Sequence, residues 1–409
     1  MKLGTPDAGH ERLEATVRAV HAEPGRFRSV SDVARHAGVG TSRLEGLVRL
    51  HWHSTSSVLL ARARIHAARR ALEGGARAAD VASDVGFERL SDFDASFRRW
   101  TGLAAREWVR LGSGDGFVLS LPAGYHAEPV LRVHGRDGAS PTERVKGLSL
   151  VKVLMINGRP MRLEIEIGRR AARCIVRTGR VPPDRASMLA AHAAAVRLLG
   201  LDQDPVPFER LVARRVRTRG LVNGRAGTRV PLTATVFEAL VWCIVGQQVN
   251  LAFAYGMRRS LIELAGSPAT GGFRAHPAPE QVAQLDYSDL TTRRYSRRKA
   301  EYLIDAARAV QCGDLDIDDL ARRPATAVER RLLDVRGLGP WSTHYLLMRG
   351  FGFADCVPLG DTGLSAALTR FYALEERPDT NAVRSLMQTF APYRSLATFH
   401  LWLSLGDAP

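Results

Sequence analysis

Cysteine is scarce in this chain of 409 residues, and so are lysine and long apolar runs. The four cysteines, Cys174, Cys243, Cys312 and Cys356, stand far apart, with no C-x-x-C pair. That spacing excludes a zinc knuckle, a dithiol redox pair and the clustered ligand sets of iron–sulfur proteins. Reduced, mostly buried thiols are expected instead, with no metal and no cofactor. No apolar run approaches the length of a bilayer span, so no membrane partner is expected. The stretch Met1-Lys2-Leu3-Gly4-Thr5-Pro6-Asp7 lacks the apolar core of a signal peptide, and the expected compartment is the cytoplasm. Acidic residues are outnumbered, 42 against 58 basic ones, for a net charge of +16. The excess is carried almost wholly by arginine. Such a charge suits a polyanion, since basic groups that replace condensed counterions gain affinity. Ordinary solvated arginine faces are the alternative, and charge alone leaves both open. The length calls for two or three domains.

Residues 10–112 read as a helical, arginine-rich block with an internal repeat. Val33-Ala34-Arg35-His36-Ala37-Gly38-Val39 returns as Val81-Ala82-Ser83-Asp84-Val85-Gly86-Phe87. Alanine suits a helix crossing, and glycine allows the turn between helices. A second helix follows each copy. Leu44, Leu47 and Val48 form the inner face of the first, and Phe93 and Phe97 that of the second. A helix from about Ser57 to Leu72 joins the copies. This doubled helix-turn-helix resembles the AraC-type DNA-binding domain, most closely in Gly86-Phe87, Phe93, Phe97, Arg98-Arg99 and Gly102. The resemblance implies groove contacts from outward positions. These are Thr41, Ser42, Arg43 and Glu45 in the first unit, and Glu88, Arg89, Ser91, Asp92 and Ser96 in the second. An inert helical bundle is the bland alternative.

Gly112-Ser113-Gly114-Asp115-Gly116 reads as a linker. Beyond it Leu150–Ile156 is a mostly apolar strand, Asn157-Gly158 a hairpin turn, and Met161–Ile167 alternates with a period of two. Arg173–Val176 is a candidate third strand. From Ser187 onward the pattern is helical. Within it Arg293, Arg294, Arg297, Arg298 and Lys299 cluster, as a solvated face or a backbone contact.

The most informative stretch runs from Leu332 to Leu364. Arg336-Gly337-Leu338-Gly339 is a tight turn between two helices, the second starting near Pro340. Its free N–H groups form an anion site built mostly of backbone. Asp361 follows in Pro358-Leu359-Gly360-Asp361-Thr362-Gly363. Alone, the turn reads as structural and the aspartate as a helix N-cap.

Together they resemble the helix-hairpin-helix DNA glycosylases, in particular the bacterial 3-methyladenine DNA glycosylase II (AlkA) type, from about Phe117 onward. The resemblance implies a DNA phosphate gripped by the hairpin at Gly337, Leu338, Gly339 and Thr343, with Asp361 as the catalytic acid. It implies a base pocket of Trp341, Tyr345 and Trp402, for which ordinary core packing is the alternative. Gly246-Gln247-Gln248 is similar to the segment that enters the space left by the target base, although some relatives carry leucine where Gln248 stands. Bifunctional relatives place a lysine just after the hairpin; here the residues are Pro340-Trp341-Ser342-Thr343, so an enzyme without abasic-site lyase activity is implied. The front of the chain has no cysteine before Cys174 and no Pro-Cys-His-Arg, which sets aside both methyl-transfer modules of adaptive-response proteins.

The expected fold is mainly α. Residues 1–112 are a double helix-turn-helix domain, 113–188 a small antiparallel α+β domain and 189–409 an all-α helix-hairpin-helix glycosylase domain. The expected activity is removal of alkylated bases of the 3-methyladenine and 7-methylguanine type from double-stranded DNA, by a monomer, in base excision repair. The alternative is a transcriptional regulator or damage sensor that binds DNA without catalysis.

Overall fold

The computed structural model describes residues 8–179 and 182–406. The expectation for Met1–Asp7 lies outside the described residues. Among those described, no helix is long and apolar enough to cross a membrane. The chain forms two compact units, one of residues up to Leu111 with 324–327, the other of the remainder.

The first unit contains α1 (Ala8–Ala22), α2 (Val30–Ala37), α3 (Thr41–Trp52), α4 (Ser56–Glu73), α5 (Ala78–Asp84), α6 (Leu90–Thr101) and α7 (Ala105–Val109). Helix α2 begins where Ser29 and Asp32 cap each other's backbone N–H groups. Both repeats turn at a glycine with positive φ, Gly38 at 69° and Gly86 at 92°. The joining helix α4 starts where the Thr55 side chain accepts from Val58 N, and spans 18 residues. One core gathers Leu13, Val17, Phe27, Val33, Leu44, Val48 and Leu59. On α6, Phe93 and Phe97 are fully buried, and Phe97 meets Trp108 edge-on at 5.8 Å.

The second unit opens on a five-stranded antiparallel sheet of order β1-β5-β4-β3-β2. Its strands are β1 (Gly116–Ser120), β2 (Glu143–Lys146), β3 (Ser149–Ile156), β4 (Arg159–Ile167) and β5 (Ala171–Arg177). The hairpin turn between β3 and β4 has both Asn157 and Gly158 at positive φ, as a twist-matched two-residue turn requires. Met161, Leu163, Ile165 and Ile167 point into the core. Two strands escaped the sequence reading. β1 takes over the end of the glycine-rich linker at Gly116, and β2 is four residues of mostly charged sequence. Both are edge strands, which proteins keep short. Helix α8 (Ala127–His134) packs against β2, and α9 (Arg185–Leu199) lies across β3, β4 and β5.

The helical remainder comprises α10 (Val206–Ala213), α11 (Val236–Val245), α12 (Leu251–Ala265), α13 (Pro279–Ala283), α14 (Tyr287–Thr291), α15 (Arg297–Cys312), α16 (Ile317–Leu320), α17 (Ala325–Leu333), α18 (Pro340–Leu346), α19 (Thr362–Tyr372), α20 (Thr380–Gln388) and α21 (Arg394–Leu405). Helix α11 is buried on almost every side, as its unbroken apolar sequence from Leu240 to Val245 demands. Sheet and helices are joined by a buried charge network. Lys152 on β3 donates to Glu143 on β2 and to Glu238 on α11, while Arg258 on α12 donates to Glu143. The sheet and the helices therefore form one compact body.

Candidate active site

Asp361 stands at the start of α19, where its Oδ1 accepts Leu364 N at 2.6 Å. It is thus the N-cap that local reasoning suggests. Tertiary structure adds two partners. Trp402 Nε1 on α21 donates to Oδ1 at 3.0 Å, and Trp341 Nε1 on α18 donates to Oδ2 at 3.0 Å. A carboxylate has about four lone-pair directions, of which three are occupied. The group is half-buried, so the remaining direction opens to a ligand. The Pro358–Asp361 turn, closed by Asp361 N on Pro358 O at 3.1 Å, sets the approach.

Tyr345 completes an aromatic wall. Its ring lies 5.6 Å from that of Trp341 and 6.0 Å from that of Trp402. Trp341 and Tyr345 share a face of α18 because they are four residues apart. In the same groove, Trp242 and Tyr255 pack ring to ring at 5.0 Å. These five aromatics and Asp361 line one groove of about 1740 Å³ that extends to the hairpin. Burial pushes the Tyr345 phenol up to about 12.

The hairpin joins α17 to α18. Gly337 has φ 94°, and a Cβ there would come within 2.4 Å of Tyr302 Cγ, so both backbone and packing demand glycine. Gly339 and Pro340 are exposed. Gln247 Nε2 donates to Gly337 O at 2.7 Å and to Ser342 Oγ at 3.0 Å. Lys299 Nζ donates to Val245 O at 2.6 Å, at the end of α11. Burial lowers its amine to about 8.

The structure brings Asp361, Trp341, Tyr345, Trp402, Gly337, Gly339, Gln247 and Gln248 to this groove. Three of the expected residues stand differently from the rest. Thr343 is fully buried and its N–H closes the first helical turn on Gly339 O, so it has nothing to offer a phosphate. The Leu338 side chain is 5% exposed and belongs to the core, which leaves only its backbone available. The Gln247 amide braces the hairpin, whereas Gln248 is exposed, with φ 53°. In the other unit Arg43, Arg89 and Ser91 are exposed on α3 and at the start of α6. Glu45 is not a free reader there, because it bonds Arg49 at 2.7 Å and Ser56 N at 2.9 Å.

Sequence reading missed Trp242, Tyr255 and Arg349. Arg349 continues the step of four from Trp341 through Tyr345, which was a usable signal. Nothing local marks Trp242 and Tyr255, since they sit on separate helices.

Residues 241–392 match the family model of the HhH-GPD superfamily of base excision DNA repair proteins, and residues 33–110 match a helix-turn-helix domain. Over 205 residues the chain is 30% identical to the DNA-3-methyladenine glycosylase of Bacillus subtilis (strain 168), covering 49% of this chain and 68% of that protein. The chain belongs to this glycosylase family, with an AraC-type helix-turn-helix domain at its front. The putative DNA-3-methyladenine glycosylase YfjP of the same organism is 35% identical over 44% of this chain and 62% of its own length. The probable bifunctional transcriptional activator/DNA repair enzyme AlkA of Mycobacterium tuberculosis (strain ATCC 25618 / H37Rv) is 30% identical over 57% of this chain and 45% of its own length. Among solved structures, the 3-methyladenine DNA-glycosylase from Archaeoglobus fulgidus has the same fold, with a TM-score of 0.63 at 20% identity, over 71% of this chain and 99% of that one.

Proposed function

We propose that this protein is a monofunctional DNA glycosylase that removes alkylated bases from double-stranded DNA, and that its front domain holds DNA through exposed side chains including Arg43, Arg89 and Ser91. The observation that carries this reading is Asp361, a carboxylate fixed by two indole N–H groups at the mouth of an aromatic groove. The target base must leave the stack to enter such a groove. The faces of Trp341, Tyr345 and Trp402 attract a positively charged N-alkylated purine, at roughly 0.5–2 kcal/mol each. When the C1′–N bond breaks, its electron pair leaves with the base and positive charge develops on the sugar. Asp361 lies beside that charge and stabilises it, or takes the proton of the attacking water. The hairpin backbone at Gly337 and Gly339 grips a phosphate, and Gln248 fills the space the base leaves.

Lyase chemistry needs a free amine at the sugar. The hairpin has no lysine after Gly339, and Lys299 is committed to Val245 O. The product is therefore an intact abasic site, and borohydride should trap no covalent complex.

The decisive experiment is base release from methylated duplex DNA by the wild type and by Asp361→Asn. The variant is expected to lose a factor of about 10² or more. Equal release by both would mean that another group does the chemistry. Damage-specific binding without release by either would favour the regulator or sensor reading, which the exposed helix-turn-helix residues keep in play. A footprint on the protein's own promoter against random DNA separates an operator-binding regulator from a tether.

A further inference from the structure

Arg349 lines the groove beyond Tyr345 yet is only 6% exposed. Buried guanidinium groups are almost always paired. Among the described residues this one donates no hydrogen bond and meets no carboxylate, and its Nε is shut off from solvent without a partner. Burial, with Arg136 adding to it, pushes the group below the ordinary guanidinium range, while the Tyr345 and Tyr255 phenols work the other way. The backbone around it is held firmly. Arg349 O accepts both the N–H and the hydroxyl of Thr233, and Gly350 O accepts Arg197 Nη2. The segment Leu347–Phe351 is a π-helical turn, a geometry often found at functional sites. An unpaired donor on a firmly held backbone thus forms part of the groove's wall.

Resting on the glycosylase reading above, we infer that Arg349 reads the edge of the everted base and selects purines that carry a carbonyl oxygen at position 6. A guanidinium has donors and no acceptor. A guanine-type O6 accepts from it, and so do O6 and N7 of hypoxanthine as a pair. The 6-amino group of an adenine-type base would set donor against donor at position 6, with only N7 left on that edge to accept. A site built to hydrogen-bond a substrate group discriminates against bases that lack it, because the donor aimed at that group then goes unpaired. Methylated guanine meets both demands of the groove, its charge against the aromatic faces and its oxygen against Arg349.

One DNA sample treated with a methylating agent holds both 7-methylguanine and 3-methyladenine, so their release rates can be compared in one tube. Arg349→Met should lower the 7-methylguanine to 3-methyladenine rate ratio by about tenfold. Arg349→Lys, which keeps one donor, should lower it less. Wild type should also free hypoxanthine from a deoxyinosine duplex. An unchanged ratio in a folded Arg349→Met protein would reduce Arg349 to a structural residue and overturn the inference. Should that variant fail to fold, Arg349→Lys and the wild-type deoxyinosine assay decide. Wild type that frees methylated bases and leaves hypoxanthine in place refutes the base-edge role while the glycosylase reading stands. Wild type that frees no base at all removes that reading, and this inference with it.

Discussion

Two buried arginines line the same groove and live in opposite circumstances. Arg258 on α12 donates to both oxygens of Glu143, at 2.7 and 3.2 Å, and to Thr142 Oγ1 at 3.2 Å. Burial works against its charge, but the Glu143 carboxylate raises its guanidinium above the ordinary value. Arg349 is buried to a similar depth with no acceptor among the described residues, and burial lowers it. The first is a structural staple between helix and sheet. The second bears the desolvation penalty without compensation, which is the condition of a residue awaiting a ligand. Asp361 lines the same groove and differs from both, a carboxylate that accepts from three neutral donors.

The contrast can be broken most forcefully at Arg258. Arg258→Met leaves buried Glu143 with Lys152 as its one bonded cation, beside the Ser140 and Thr142 hydroxyls, and should cost about 3–5 kcal/mol in urea denaturation. A loss below about 1 kcal/mol would mean that the network is no staple. Next comes the histidine beside that network. His276 is buried, with Nδ1 on Pro277 O at 3.0 Å, and burial lowers it to about 4. Between about 4 and its unfolded value the unfolded chain binds more protons, so stability rises with pH there. It is present above the unfolded pKa and lost as pH falls through the folded one, by up to about 3 kcal/mol. His276→Asn should flatten denaturation midpoints across pH 4–6.5 relative to wild type. At Asp361, Trp402→Phe keeps the ring and removes one of the donors. It should lower kcat for base release by about tenfold, about 1.4 kcal/mol, with little change in melting temperature. The smallest effect is expected at Arg349. Arg349→Met severs no pair, so its unfolding free energy should stay within about 1 kcal/mol of wild type, or rise. A loss comparable to that at Arg258 would show that Arg349 is structural after all.

Much of this was legible in the residues. The doubled Ala-x-x-x-Gly turn, the Asn157-Gly158 hairpin and the Gly337–Gly339 turn each carry local backbone requirements that one stretch of sequence states completely. The step of four that places Trp341 beside Tyr345 is equally local. Long-range pairing was not legible. The edge strands β1 and β2 pair with β5 and β3; β2's charged composition argues for loop, and β1 is short and begins in the glycine-rich linker. Thr343 was grouped with the hairpin by its place soon after Gly339, yet the first turn of α18 faces it into the core. Gln247 and Gln248 are adjacent and alike, and only the fold sends one amide to the hairpin and leaves the other free.

The sequence alone settled the local chemistry: which helices turn on glycine, which face of α18 is aromatic, and that an acid caps α19. These follow from φ preferences, helical periodicity and capping, which act within a few residues. Tertiary structure decided what those groups became. It carried the Trp402 indole from α21 and the Trp341 indole from α18 to one carboxylate, paired Arg258 with a strand more than 100 residues earlier, and left Arg349 without a partner. The reason is physical. Burial and electrostatics depend on distances through space, and those are set only when separate elements pack.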